Sequence, residues 1–213
     1  MPRILITSGP TRQYLDPVRY LTNASSGRMG AALAEAVLEG GHEAVVVSGP
    51  VDVDYPPRAE VIRVVSTEDM LESCLEVFPN CDGLIAAAAP CDYRPVKVAP
   101  QKISKTGEPL QLHLVETPDV VALLAAIRQS QWLVAFALET EDQRMRALQK
   151  LERKSCDLIV ANGPGSIHSP DTVLEVIDRS GNVLLSTSGD KRTAAREVFA
   201  VIQQRLIRTA GTC

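Results

Sequence analysis

The residues best suited to chemistry stand near the start of the chain, in Thr7-Ser8-Gly9-Pro10-Thr11-Arg12, Asp16-Pro17-Val18-Arg19 and Asn23-Ala24-Ser25-Ser26-Gly27-Arg28-Met29-Gly30. A β-branched run, Ile4 to Thr7, empties into this stretch, and a helical pattern begins straight after it. A loop that holds Arg12, Arg19, serines and glycines ahead of a helix aims backbone N–H groups and guanidinium charge at an anion. The pattern therefore predicts an anionic, phosphorylated ligand. Asn23 adds a side-chain amide that can donate to an oxyanion or cap a turn. A structural reading stands beside the functional one: Gly27 and Gly30 for turn geometry and close packing, Pro17 to fix the loop, Ser25 or Ser26 to cap the helix. Neither G-x-G-x-x-G nor G-x-x-x-x-G-K-[ST] occurs, so the common nucleotide fingerprints do not decide between them.

A second chemistry-bearing segment runs from Ala89 to Pro109, with Pro90, Pro95, Pro100 and Pro109 among Asp92, Tyr93, Arg94, Lys97, Lys102 and Lys105. A long loop leaving the C-terminal end of a central strand is where open α/β sheets bind ligands, and residues 89–109 are expected to form a mobile cover of the site. Lys150 and Lys154, four apart on a helical pattern, share a face and can reach phosphate oxygens, or stay solvated beside Glu152 and Glu141. Asp92 and Asp119 suit ribose hydroxyls, or a turn and a helix start. Phe136 suits a base, or the core. Tyr93 and Lys97 have the Y-x-x-x-K spacing of short-chain, NAD(P)-dependent oxidoreductases, but Pro90, Pro95 and Pro100 oppose the helix that chemistry needs.

The elements that must position these residues alternate. Ile4–Thr7, Ala44–Ser48, Val61–Val65, Gly83–Ala88, Leu133–Ala137 and Leu158–Ala161 read as strands buried on both faces. Met29–Glu39, Thr67–Phe78, Pro118–Ile127 and Asp142–Lys154 read as helices, with Thr67 as the cap of the second. The alternation predicts an α/β, Rossmann-like, doubly wound and mostly parallel sheet. Its tail departs from the rhythm: residues 172–187 read as a C-terminal β-hairpin turning at Arg179-Ser180-Gly181-Asn182, followed by a closing helix over Ala194–Ile207.

Length and composition narrow the class. The 213 residues suit one domain, expected over 1–213, and 45% hydrophobic with 23% charged residues excludes disordered and fibrous classes. A net charge of -4 gives no basic field for nucleic acid. No apolar run reaches the roughly 18 to 20 residues that cross a bilayer, and no signal-peptide core follows Met1, so a cytoplasmic protein is expected. Cys74, Cys81, Cys91, Cys156 and Cys213 are odd in number and widely spaced, which fits reduced thiols rather than a disulfide frame or zinc site. Cys91 is the one set among functional residue types, with packing as its favoured role.

The pieces TSGPTR, LDPVRYLTNASSGRMGAALAEA, VVVSGPV, AAAAPCDYRP, APQKISK, TPDVV, FALETE and KLERKSCDLIVAN follow one another across about residues 3–163. In that order they resemble the phosphopantothenate–cysteine ligase (phosphopantothenoylcysteine synthetase) domain of the bacterial coenzyme A pathway. The resemblance implies a ligase that activates 4'-phosphopantothenate with CTP and Mg²⁺, releases pyrophosphate, and joins the acyl-cytidylate to L-cysteine, leaving CMP. It implies that Asn23, Arg19 and Lys102 are catalytic. Ala86, Ala87, Ala88, Asp92, Lys102, Pro118, Asp119, Val120, Val121, Phe136, Lys150 and Lys154 correspond to nucleotide-contacting positions. Ser8, Gly9, Arg12, Ser25, Ser26 and Gly27 fall to the substrate's phosphate or acyl part. No protein ligand of a metal is implied. The resemblance further implies a homodimer that completes the site across its interface.

Relatives of this kind are often fused to a flavin-dependent decarboxylase. That half is absent from the sequence, so no flavin is expected, and a separate phosphopantothenoylcysteine decarboxylase is the expected next partner. Residues 101–105 read Gln-Lys-Ile-Ser-Lys, with Ser104 where the family carries another lysine. A catalytically inactive nucleotide-binding relative is the non-enzyme alternative.

Overall fold

The computed structural model describes residues 1–138, 143–162 and 171–207. The expected helix start at Asp142, the counter-charge Glu141, the end of FALETE and Cys213 lie outside these residues, as does the stretch 163–170. Among the described residues, an eight-stranded sheet has β1 (Arg3–Ser8) in its interior, third from one edge. On one side of it lie β4 (Glu43–Ser48) and β5 (Glu60–Arg63), and on the other β6 (Gly83–Ala86), β9 (Trp132–Leu138) and β10 (Leu158–Asn162), all parallel. Two antiparallel strands, β11 (Asp171–Asp178) and β12 (Val183–Asp190), extend the β10 edge, as the hairpin reading expected, though each is longer than its apolar run.

Successive residues of β1 serve opposite faces, as a strand's period of two requires. Ile4 and Ile6 enter the apolar cluster under α1 (Arg28–Glu39) and α5 (Lys191–Leu206). Leu5 enters the cluster under α2 (Thr67–Val77), α3 (Val120–Ile127) and α4 (Gln143–Arg153). From β1 the chain passes outward to β4 and β5, then returns through α2 to β6 on the other side of β1. That reversal opens a crevice beyond the carboxyl ends of β1 and β6, the place where doubly wound sheets bind ligands.

Several boundaries differ from expectation for local reasons. Ser66, not Thr67, caps α2: its side chain accepts from the Asp69 N–H at 3.0 Å while the Asp69 carboxylate accepts from the Ser66 N–H at 2.9 Å, a reciprocal capping box. Thr67 instead turns its hydroxyl inward, to the Thr11 hydroxyl at 2.8 Å and the Cys91 carbonyl at 3.1 Å. Pro118 precedes α3, whose cap is Asp119. The strand β6 ends at Ala86, yet its course continues beside β1 through Ala87 N–H to Thr7 O at 3.1 Å and Ala89 N–H to Gly9 O at 2.9 Å.

Residues 89–109 are not a structureless loop: β7 (Tyr93–Pro95) pairs antiparallel with β8 (Leu114–Glu116), making an arm. That pairing also removes the oxidoreductase reading, because Tyr93 lies on a strand and not one helical turn from Lys97. A second small ribbon, β2 (Arg12–Tyr14) with β3 (Tyr20–Thr22), has no counterpart among the sequence expectations.

Candidate functional site

A cavity of about 850 Å³ opens over the carboxyl ends of β6, β9 and β10 and the amino ends of α1 and α3. The sheet edge supplies Ala86, Ala87, Ala88 and Phe136, the segment after β6 supplies Asp92, and the α3 entry supplies Pro118, Asp119, Val120 and Val121. Lys150 and Lys154 reach its wall from the end of α4, and Asn23, Ser25, Ser26 and Gly27 from the loop before α1. These sequence-predicted residues, over a hundred positions apart along the chain, therefore share one lining. Ser8, Gly9, Arg12, Arg19 and Lys102 are not part of it.

The loop before α1 is built for open donors. Gly27 caps the helix in the left-handed conformation at φ 74°, and no side chain caps it. Neither Ser25 nor Ser26 therefore has the capping role that a structural reading gives them, and the first-turn N–H groups of α1 have no side-chain cap. Gly30 is required by close approach: a Cβ there would stand 2.0 Å from Ser8 Oγ and 2.4 Å from Ser8 Cβ. Ser8 itself is fully buried, donates to Gly27 O at 3.3 Å and accepts from the Tyr55 hydroxyl at 2.7 Å. It holds α1 against β1 instead of facing ligand space.

Asn23 donates its side-chain amide to Pro90 O at 2.9 Å and Ala89 O at 3.2 Å. Two carbonyls facing the amide fix its orientation, with Nδ2 toward them. Both amide hydrogens are thus engaged, and the acceptor Oδ1 is the atom left for another partner. The segment behind them is knotted: Cys91 N–H donates to Thr11 Oγ1 at 2.8 Å, and the Cys91 carbonyl accepts from the Thr67 and Thr117 hydroxyls. Cys91 is buried, and burial pushes its thiol up, so its side chain packs, as expected. Burial likewise raises the thiols of Cys74, to about 12, and of Cys81 and Cys156, to about 11.

On the opposite wall, Asp119 accepts from the Ala122 N–H at 3.2 Å and from Lys154 Nζ at 2.9 Å. Burial works to raise the Asp119 carboxyl, but Lys154 outweighs it and holds the group below the usual range. Asp119 is thus a helix-start acid, and its carboxylate offsets part of the Lys154 charge. Arg153 also lines the cavity, which the paired-lysine pattern did not single out.

Arg19 and Arg12 have other tasks here. Arg12 lies over the Tyr20 ring at 4.5 Å. Arg19 pairs with Asp16 at 2.6 Å and donates to Ile103 O. Asp16, fully buried, also accepts from the N–H groups of Val18 at 2.8 Å, Arg19 at 2.9 Å and Ile103 at 3.1 Å. Burial would raise its carboxyl, yet these hydrogen bonds together hold it far below the ordinary range. Asp16 and Arg19 are the hook that fastens the arm, next to the exposed Lys102. The sequence reading quoted Asp16 in its motif but gave it no role, although an acid three residues before a candidate arginine was a visible signal.

The chain matches the DNA/pantothenate metabolism flavoprotein C-terminal domain over residues 2–206. It is 43% identical over 208 residues to the coenzyme A biosynthesis bifunctional protein CoaBC of Vibrio vulnificus, covering 94% of this chain and 51% of that protein. It is 44% identical over 160 residues to CoaBC of Bacillus subtilis, covering 75% of this chain and 39% of that protein. The chain spans about half the length of the curated relatives it matches. A crystal structure of the C-terminal domain of CoaBC superposes with a TM-score of 0.82 at 34% identity, covering 96% of this chain and 95% of that one. A Cab2 mutant in complex with phosphopantothenate-cysteine shares the fold, with a TM-score of 0.73 at 17% identity over 95% of this chain and 87% of that one. By the profile match and by identity over nearly its whole length, the chain belongs to the DNA/pantothenate metabolism flavoprotein C-terminal domain family, the phosphopantothenate–cysteine ligase family that its motifs resemble.

Proposed function

We propose that the chain joins 4'-phosphopantothenate to L-cysteine, using CTP to activate the acid. The observation that carries this reading is one cavity whose lining gathers Asn23, the Ala86–Ala88 sheet edge, the α3 entry, Phe136 and the Lys150/Lys154 pair. A carboxylate is a poor acyl donor, so its oxygen first attacks the α-phosphorus of the nucleotide. The bond to the β-phosphate oxygen breaks, and pyrophosphate leaves. Two anions meet in that step, and cations are needed to screen both the approach and the departure. Lys150 and Lys154 stand on the wall where they can meet phosphate oxygens, and Lys102, outside the lining, would join them through movement of the arm or from a partner subunit.

Mg²⁺ would enter with the nucleotide substrate and screen its phosphate charge, and Asp92 and Glu116, carboxylates of the same lining, would offer it hard oxygen ligands. In the second step the amine of cysteine attacks the acyl carbon, the bond to the CMP oxygen breaks, and the amine's proton is released to phosphate or water. The α-amine, with a reference pKa of about 8, needs little help to be neutral. Asn23 stands by the acyl position.

The arm exposes Tyr93, Val96, Val98, Leu110, Leu112, Leu114 and Val115. So much apolar surface on one projecting ribbon supports a homodimer in which the arm packs on its partner. A separate decarboxylase would take the product onward.

A coupled pyrophosphate assay tests this reading. Release is expected to require 4'-phosphopantothenate and CTP, and to be stronger with CTP than with ATP; product is expected only when L-cysteine is added. Nucleotide binding with no pyrophosphate would favour the inactive relative.

A further inference from the structure

Two of the cavity's cations are carried by the end of α4, and a side chain from outside the cavity holds that end. Lys150 stands in the last turn of α4 and Lys154 just beyond it, and both line the cavity. The chain stops the helix with a pair of turn bonds: Cys156 N–H donates to Leu151 O and Ser155 N–H to Glu152 O, both at 3.0 Å. A stop of this kind needs the residue after the cap in the left-handed conformation, where glycine or asparagine usually stands. Here that residue is Ser155, at φ 50°, the one non-glycine of positive φ among the described residues. Its Cβ makes the conformation unfavourable by itself.

Arg179 compensates. It belongs to the turn between β11 and β12, which the Asp178 carboxylate fixes by accepting from the Ser180 and Asn182 N–H groups, each at 2.9 Å. The same turn abuts α4, since a Cβ on Gly181 would stand 3.6 Å from Leu148 Cδ1. The Arg179 guanidinium donates through Nε to Cys156 O at 2.8 Å and through Nη2 to Ser155 O at 3.1 Å, and Nη2 pairs with the Asp157 carboxylate at 2.9 Å. Three acceptors on consecutive residues thus meet one planar fork, at the end of the helix that favours a cation. Asp157 ties the grip to its neighbours: Oδ2 accepts from Leu133 N–H at 2.8 Å in β9 and from Arg128 Nη1 at 3.0 Å at the end of α3. Arg179 itself does not line the cavity.

We infer that Arg179 is a positioning residue for the Lys150/Lys154 pair: by holding Ser155 in the left-handed turn it fixes the last turn of α4, and with it the direction in which both lysines reach the nucleotide's phosphates. The inference rests on the reading of the cavity as the ligase's nucleotide site.

The test compares the full chain with Arg179→Ala and with the double variant Arg179→Ala/Ser155→Gly, because glycine takes the left-handed conformation unaided. Calorimetry with CTP is expected to show affinity about tenfold weaker in Arg179→Ala, the scale of one charge-assisted bond to a phosphate, and mostly recovered in the double variant. In steady state the KM for CTP should follow the same course, with the KM for 4'-phosphopantothenate unchanged. A role in stability alone would lower the melting temperature and the number of binding sites but leave CTP affinity at its parent value, and that result would overturn the inference. So would a loss of CTP affinity that Ser155→Gly does not recover, or a parent chain that binds no CTP. A protein that makes no product, yet loses and regains CTP affinity across the two variants, would keep the positioning role and discard the ligase reading.

Discussion

Asn23→Ala is expected to lower overall turnover by about 10²–10³, the usual cost of losing one donor aimed at developing negative charge. The activation half should survive, so mass spectrometry of the quenched reaction should find acyl-cytidylate accumulating on the variant. The structure sharpens the expectation. In this state both amide hydrogens are given to Ala89 O and Pro90 O, which fixes the loop behind the sheet edge. A role toward the acyl oxygen requires the amide to exchange at least one of these carbonyls for the substrate. Asn23→Asp keeps the size but sets a carboxylate against two carbonyl oxygens, and should be at least as damaging as alanine. Unchanged turnover in Asn23→Ala would remove the residue from the mechanism and leave it a loop tie.

Asp16→Asn is expected to cost about 10² in kcat/KM, the scale on which a displacement of about 1 Å near a reacting centre is felt. Asp16 touches no cavity surface, so the effect would run through the arm. Its carboxylate receives Arg19 at 2.6 Å and the Ile103 N–H at 3.1 Å, and an amide cannot accept from all these donors with the same two oxygens. Trypsin should cut the Lys97–Lys105 stretch faster in the variant than in the parent chain. The pH dependence has a definite sign. The folded carboxyl titrates below its unfolded value of about 3.9, so its contribution is full above that value and fades as pH falls below it. The arm should therefore loosen in acid, below about pH 4, and Asp16→Asn should lose that part of the dependence. Equal cleavage rates and equal kcat/KM would show that the hook does not position the arm.

The doubly wound sheet was legible because its strands are short apolar runs set between helical periods. Ile4 to Ile6 and Val45 to Val47 have no solvated face, and only a parallel sheet covered on both sides gives such runs a place. The pairing of β7 with β8 was not legible. Tyr93–Pro95 carries a proline and Leu114–Glu116 is exposed, so neither has the alternation that marks a strand; their pairing depends on the turn of the chain between them. The lining of the cavity was largely legible, because Asn23, Asp92, Phe136 and Lys150 carry functional groups in motif positions. Ser8 and Arg12 show the opposite: their types suit phosphate, but tertiary packing gives them to Gly27 and Tyr20. Lys191 and Thr172 follow residues 163–170, far from every quoted motif, and only the antiparallel return of β11 and β12 brings them to the site.

In the proposed reaction the acid is activated by attack of its own carboxylate on the α-phosphorus. Turnover of 4'-phosphopantothenate labelled with ¹⁸O in the carboxylate, with CTP and L-cysteine, tests it most directly. Attack at that phosphorus leaves one labelled oxygen in the CMP released when the amide forms. CMP without label, or label recovered in inorganic phosphate, would contradict it.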